Sequence, residues 1–410
     1  MGADREARPR RLELLLIVSG IVALAQGVNG FAVPALPKLV DAVGGTAVTL
    51  GLAVGFYSIA RMFVNIPAGL LSDRVGRRWV LVGGGLVTAL GSTLSGAVTS
   101  VPMLLALRLV TGAGAAAAIT AGFIAISDLS DTHNRARSLG VLQGWQFLSG
   151  VASPALGGFI TEWFGMRVPF YVSGAGVAAV AVYGALRIPE TRPARPSSSE
   201  VAAGRPDPFG ALGQLLRNRN YMLVSGVVVA LFFTRFGANQ SVVPLFAYDR
   251  LGWSAGQLGL LYSGAAILNG LLILPSAHVS DRVGRKVAIV PAGLVAVAGL
   301  ALLSVATAPW VFIMAYLLVT GANGFSGQAP IAYVGDNTGG ANRGFATGLY
   351  RTFGDTAGVV GPIATTSLVT HGSYAAAFLA TALLTLVAFG LFGLLASETA
   401  GRRRAPRAID

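Results

Sequence analysis

The sequence holds no cysteine, only three histidines, and 17 acidic residues against 30 basic ones in 410 positions. The missing thiols exclude disulfides, thiolate nucleophiles and cysteine-ligated metals. His133, His278 and His371 lie at the ends of apolar runs or between them, too scattered for a metal site, and no cofactor is expected. Charge is scarce as well, at 11% of residues where soluble domains carry about 25%. So little charge cannot solvate a globular surface of this size. HExxH, GxSxG, a Cys–His pair and a central carboxylate pair are all absent, so the chain is not expected to be an enzyme.

What is present is apolar. Hydrophobic residues make up 54% of the chain and the mean hydropathy is +0.68. Runs of the length that crosses a bilayer core as helix, roughly 20 residues, recur from end to end. Twelve are read at 14–37, 47–71, 79–97, 102–126, 137–160, 166–187, 220–247, 255–278, 286–307, 310–334, 344–369 and 374–396. Glycine (55 residues) and alanine saturate them, and small residues let helix backbones approach closely in lipid. The first run is too long for a signal-peptide core and is read as the first span. The expected fold class is an all-α membrane protein of twelve transmembrane helices.

The net charge of +13 is not spread evenly. With the N-terminus inside, the cytoplasmic segments hold 23 Lys/Arg, clustered before Leu14, at Arg74–Arg78, Arg135–Arg137, Arg187–Arg219, Arg282–Lys286 and Arg343, and after Gly401. The other side holds three: Lys38, Arg167 and Arg250. That is the positive-inside bias. It implies both termini in the cytoplasm and a lipid bilayer, not nucleic acid, as the partner of the basic charge.

The hexapeptide SDRVGR occurs at Ser72–Arg77 and again at Ser280–Arg285, 208 positions later. At the same offset Gly51 matches Gly259, Pro67 matches Pro275, Asp128 matches Asp336, Asn134 and Arg135 match Asn342 and Arg343, and Pro154 matches Pro362. Shifted by two, Asn29 and Pro34 match Asn239 and Pro244. Duplication of a six-helix unit accounts for this. Parallel six-helix repeats form a known transporter plan with the substrate site at the repeat interface. The expected organisation is therefore two pseudo-symmetric six-helix bundles, 1–187 and 220–410, joined by a cytoplasmic linker at 188–219. Proline, serine and charge make the first part of that linker flexible. DPFGALGQLLRN could form a short amphipathic helix, although a plain tether is the simpler reading.

GLLSDRVGRR (69–78) resembles the G-x-L-x-D-R-x-G-R-R/K signature of the major facilitator superfamily, and the twelve spans, the two repeats and PET (189–191) extend that resemblance over the whole chain. In that family the aspartate, an arginine of the loop and an acid at the end of the fourth helix form a charge cluster that latches the outward-open state. The resemblance puts Asp73, Arg77 and Asp128 in those places, and the repeat adds Asp281, Arg285 and Asp336. LLALRLVTGAGAA (104–116) resembles the fourth-helix signature, in which the position of Arg108 is linked to proton coupling; an arginine snorkelling to the outer interface is the alternative. GVLQGWQFLSGVASPALGG (140–158) resembles the fifth-helix signature of the bacterial twelve-helix drug:proton antiporter branch, with Ser149 and Ser153 replacing two glycines. Small residues at this spacing imply a smooth face against the eighth helix, and Pro154 permits a bend.

Inside the spans stand four arginines, Arg61, Arg108, Arg235 and Arg351, and one acid, Asp355. Intramembrane ionisable groups are candidate functional sites with a partner to be named. Arg61 lies 11 residues from Ser72, and Asp355 lies 11 from Gly344 on a helix running the other way. At 1.5 Å per residue both sit about 16 Å deep. An Arg61–Asp355 pair across the halves is expected, with Arg351 one turn away from Asp355; a structural Arg351–Asp355 pair is the other reading. Proton coupling is assigned to Asp355, Arg61, Arg108 and Arg351. Candidate cavity residues are Gln26, Asn29, Tyr57, Gln143, Trp145, Gln146, Arg235, Phe236, Asn239 and Asn323, with Gln240, Asn269 and Gln328 also polar within spans.

The resemblance implies a secondary active transporter working by alternating access, with a small-molecule substrate and protons as partners. Export of a drug or small metabolite is the first expectation, and uptake of a nutrient or anion is the second. The Ala/Gly/Arg/Val bias suggests a bacterial cell membrane. By analogy with the family the protein is expected to be a monomer.

Overall fold

The computed structural model describes residues 3–130, 134–190, 208–338 and 343–399, with side chains from 12, 212 and 345 onward in the first, third and fourth stretches. Helices account for nearly all of it. The first six are α1 (Ala3–Ala42), α2 (Ala47–Val75), α3 (Arg77–Gly96), α4 (Val101–Asp128), α5 (Arg135–Phe164) and α6 (Val168–Arg187). A short helix, α7 (Pro208–Arg217), precedes α8 (Arg219–Phe232), a π-helix (Phe233–Val242) and α9 (Val243–Asp249), which run on as one rod. Then follow α10 (Ala255–Arg282), α11 (Arg285–Ser304), α12 (Pro309–Ser326) with its continuation α13 (Ala329–Asn337), α14 (Arg343–His371) and α15 (Tyr374–Leu395).

Counting 219–249 and 309–337 as single rods, the described residues form the twelve long helices expected from the apolar runs. Ten are both long and apolar enough to cross a membrane. The others, α5 and α14, have the length but carry more polar residues, including Gln143 and Gln146 on one and Arg351 and Asp355 on the other. Local chemistry sets several starts. Proline stands in the first turn of α4, α6 and α12, where its missing N–H would have had no helical partner. Asn218 and Ser373 cap α8 and α15 by accepting from the Tyr221 and Ala376 amides at 3.2 and 3.1 Å. Pro67, Pro154, Pro275 and Pro362 lie inside α2, α5, α10 and α14, two pairs at the repeat spacing.

The chain divides into two compact units. The first holds α1–α6 together with Gly252–Gly264, which includes the start of α10; the second holds α7–α9, the rest of α10 and α11–α15. The first unit packs on Val18, Ile21, Val22, Leu81, Ala118, Ala121 and Ala125, all essentially inaccessible. The second packs on Val224, Val227, Ile289, Tyr333, Phe389 and Phe392. In place of a plain tether, the residues before α8 form α7, because Leu215 is buried in the second unit's core. Residues 191–207 lie outside the described chain.

In the first unit, α5 lies against the start of α10 with almost no side-chain space between them. A Cβ on Gly158 would stand 2.3 Å from the Ala255 carbonyl oxygen, and one on Gly259 would stand 2.3 Å from the Pro154 carbonyl. Ser263 Oγ donates to the Val151 carbonyl at 2.6 Å and accepts from the Ala155 amide at 3.1 Å. Glu162 caps α10 by accepting from Ser254 Oγ at 2.8 Å and the Gly256 amide at 2.9 Å. The smooth face expected of the fifth helix is therefore present. Gly158→Leu should force the two helices apart and cost about 1–3 kcal/mol by overpacking. A thermal-unfolding midpoint unchanged from wild type in detergent would refute that.

Candidate functional site

The two copies of SDRVGR build the same cluster in each unit. Arg77 opens α3 one residue after Gly76, whose φ of +118° suits glycine. Its guanidinium bonds Asp73 at the end of α2 (2.5 Å) and Asp128 at the end of α4 (3.0 Å). Asp73 is 60% exposed and Asp128 only 20%, so water weakens the first arm more than the second. In the second unit Arg285 follows Gly284 (φ +151°) and bonds Asp281, Ser280 Oγ at 2.8 Å and Asp336 at 3.2 Å. The structure thus brings together all six residues singled out by the resemblance and the repeat, as two triads.

A seventh and eighth residue belong to these clusters. Glu190 accepts from the Arg77 amide at 2.8 Å. Glu398 accepts from the Arg285 and Lys286 amides, both at 3.0 Å. Each carboxylate sits on the exposed N–H groups of a helix start, where the helix dipole favours negative charge. A Cβ on Gly76 would fall 2.1 Å from Glu190 Oε2, so glycine is required there for space as well as for φ. The two acids are themselves 208 positions apart and each precedes a threonine, so the internal repeat carries this pair as well. Asn220 holds the second one in register through both Ser397 Oγ (2.7 Å) and the Ser397 amide (3.1 Å). Arg78 and Lys286, again at the repeat spacing, donate to the carbonyls of Ala185 and Ala396.

Within the first unit the polar residues of the spans meet one another. Arg108 is 2% exposed, so it does not snorkel. Its Nε donates to the Ala53 carbonyl at 3.2 Å and a terminal nitrogen donates to Asn29 Oδ1 at 2.9 Å, while its guanidinium carbon lies 4.7 Å from the Tyr57 ring centroid. Arg61, one turn along α2, lies 5.9 Å from the same centroid. Gln146 donates to Gln26 at 2.8 Å, joining α5 to α1. Gln143 and Trp145 are exposed on α5.

In the second unit Arg235, Phe236 and Asn239 all lie on the π-helix, which no periodicity in the sequence announces. Ten residues of π-helix in one run is uncommon, and such segments concentrate at functional sites. Phe236 and Asn239 are buried, and exposed Arg235 lies over the Phe236 ring at 5.7 Å. This segment packs on α14, where a Cβ on Gly358 would stand 3.1 Å from the Phe236 ring. Arg351 and Asp355 occupy α14 at i and i+4, Arg351 exposed and Asp355 partly buried. Asn323 lies partly buried near the end of α12. Arg61 and Asp355 fall in different units, and their pairing stays a proposal.

Long apolar helices, internal duplication and paired charge clusters define a membrane transporter of the duplicated six-helix class. The chain belongs to the Major Facilitator Superfamily, whose model matches residues 15–247 and 226–409. It is 29% identical over 326 residues to the class C tetracycline resistance protein of Escherichia coli, covering 76% of this chain and 78% of that one. It is 22% identical over 338 residues to the quinolone resistance protein NorA of Staphylococcus aureus, covering 82% and 84%. In fold it is similar to a bacterial homolog of the human lysosomal transporter Spinster, solved inward-facing and unoccupied, with a TM-score of 0.82 at 17% identity over 98% of this chain and 99% of that one. The protein is thus a multi-pass membrane protein and a secondary transporter, not an enzyme.

Proposed function

We propose that the protein exports a drug or small metabolite in exchange for protons across a bacterial cell membrane, with both termini in the cytoplasm. The observation that carries this reading is its similarity, over three-quarters or more of the chain, to two proteins named for resistance to tetracycline and to quinolones. The small-residue contact between α5 and α10 supports it, because it is built from the stretch that resembles the fifth-helix signature of drug:proton antiporters. In this reading the protein works as a monomer by alternating access of two bundles, 1–187 and 220–410, joined by residues 188–219. The triads of Asp73, Arg77 and Asp128 and of Asp281, Arg285 and Asp336 act as latches on the cytoplasmic side. Asp355 carries the proton, and the polar residues of α1, α5, the π-helix and α12 contact the substrate.

Uptake of an anion is the second reading, favoured by four arginines against one acid within the spans. Purified protein in proteoliposomes, with tetracycline and a quinolone as probes and an imposed pH difference, separates the two. Exchange predicts that the probe moves against the proton flux, and reversing the pH difference should reverse its direction. Flux in the same direction as protons would overturn export, and no pH-dependent flux of any probe would overturn proton coupling.

A further inference from the structure

We infer that Arg61, Tyr57 and Arg108 form a binding site for an organic anion, so that the transported compound carries a carboxylate or a similar acidic group. This rests on the transport reading and names its substrate class.

The argument begins with charge. The first unit places two guanidinium groups inside its spans. The acids of that half with described side chains, Glu13, Asp41, Asp73, Asp128, Glu162 and Glu190, all lie outside its six apolar runs. Asp73 and Asp128 are already held by Arg77, and Glu162 and Glu190 cap helices. Arginine does not shed its proton in a protein, so both charges persist wherever they are buried. An uncompensated charge in a low-dielectric interior is strongly unfavourable unless a counter-charge or a polar cavity meets it.

The hydrogen-bond partners of Arg108, the Asn29 amide oxygen and the Ala53 carbonyl, are neutral. They orient its guanidinium without neutralising it. Arg61 is more telling. Its Nε is buried and has no hydrogen-bond partner among the described residues, although the residue as a whole is only partly buried. A donor held dry while the rest of the group stays accessible is the arrangement expected of a site that a ligand completes. Tyr57, itself buried, holds the two cations on one ring, at 4.7 and 5.9 Å from its centroid. The ring face attracts both cations and fixes their spacing. Charge-assisted bonds from one or both guanidinium groups are the strong contacts such a pair can offer, and a carboxylate is the matching acceptor. A cationic compound would meet repulsion at the same place.

The test is equilibrium binding to full-length protein in nanodiscs, with 2-naphthoate, its methyl ester and a naphthyl trimethylammonium salt as matched probes. Naphthoate should bind about tenfold or more tightly than the ester, the factor expected of a hydrogen bond to a charged group, and the cation should bind least. Arg61→Gln should bring naphthoate and ester within about twofold of each other, while Arg61→Lys should keep part of the preference because its charge remains. Thermal unfolding of both variants confirms that they are folded, and Arg108 is left intact because its bonds to Asn29 and Ala53 tie α4 to α1 and α2. Equal binding of naphthoate and ester by wild type overturns the proposal. So does an unchanged preference in Arg61→Gln, tightest binding of the cation, or no naphthoate binding. Because this assay reads binding and the proteoliposome assay reads flux, either reading can fail while the other stands.

Discussion

Asp355→Asn is expected to abolish concentrative, pH-driven transport while leaving downhill exchange of substrate in place. Asp355 is the one acid that falls inside the apolar runs read from the sequence, and it stands twelve residues into the 29-residue α14. The four intramembrane arginines cannot give up a proton, so the carboxylate is the one group at that depth suited to gain and lose charge within a cycle. A pH difference of one unit supplies about 1.4 kcal/mol per proton, enough for about tenfold accumulation when one proton is exchanged. In Asp355→Asn that factor should fall to one, because the amide cannot titrate. Counterflow of labelled against unlabelled substrate should persist, since it needs the two conformations and not the proton. If the variant still accumulates substrate under an imposed pH difference, Asp355 is structural and the coupling assignment is wrong.

The second large effect is expected from the charge clusters, and it should be graded. Asp128→Asn removes the less exposed carboxylate of the first triad; losing a charged hydrogen bond of that kind is worth roughly 1.5–3 kcal/mol, or about tenfold to a hundredfold in the balance between states. Asp73→Asn should do less, because Asp73 is 60% exposed and its arm is screened. Arg77→Gln should do most, since it leaves Asp73 and Asp128 facing each other without their shared cation. Insertion should survive in all three, because none lies in an apolar core. The natural absence of cysteine makes the readout clean: single cysteines introduced at either end of α5 report the accessibility of each side by thiol labelling. Wild-type transport and unchanged labelling in Arg77→Gln would remove these clusters from the mechanism. The second unit supplies the control, since Arg285→Gln should shift the same balance in the same direction through the matching triad.

Much of this architecture is written in local features. Span ends follow from where apolar runs meet proline, glycine or charge, and apart from α1, which starts at Ala3 well before its run at 14–37, the helices begin and end within a few residues of those runs. The triads were legible because the family resemblance assigned Asp73, Arg77 and Asp128 to one cluster and the same letters return 208 positions later. Glu190 and Glu398 were equally legible in the repeat, but their role was not. A carboxylate that caps a helix 113 residues away in sequence is defined by the return of the chain, not by its neighbours.

What the sequence determined by itself is the class of the protein: membrane-spanning and internally duplicated. These follow from composition, hydropathy and repetition, all of which act through short-range physics. Only the tertiary structure decided that Arg108 is buried on Tyr57 rather than drawn to the interface, that Arg61 shares that ring, that the middle of 219–249 winds as a π-helix, and that the start of α10 packs in the first unit. Each depends on which helix faces meet, and in a membrane those faces are all apolar and rich in small residues. Hydropathy therefore cannot tell one face from another. Close packing, backbone contact and the need to satisfy each buried polar group choose among them.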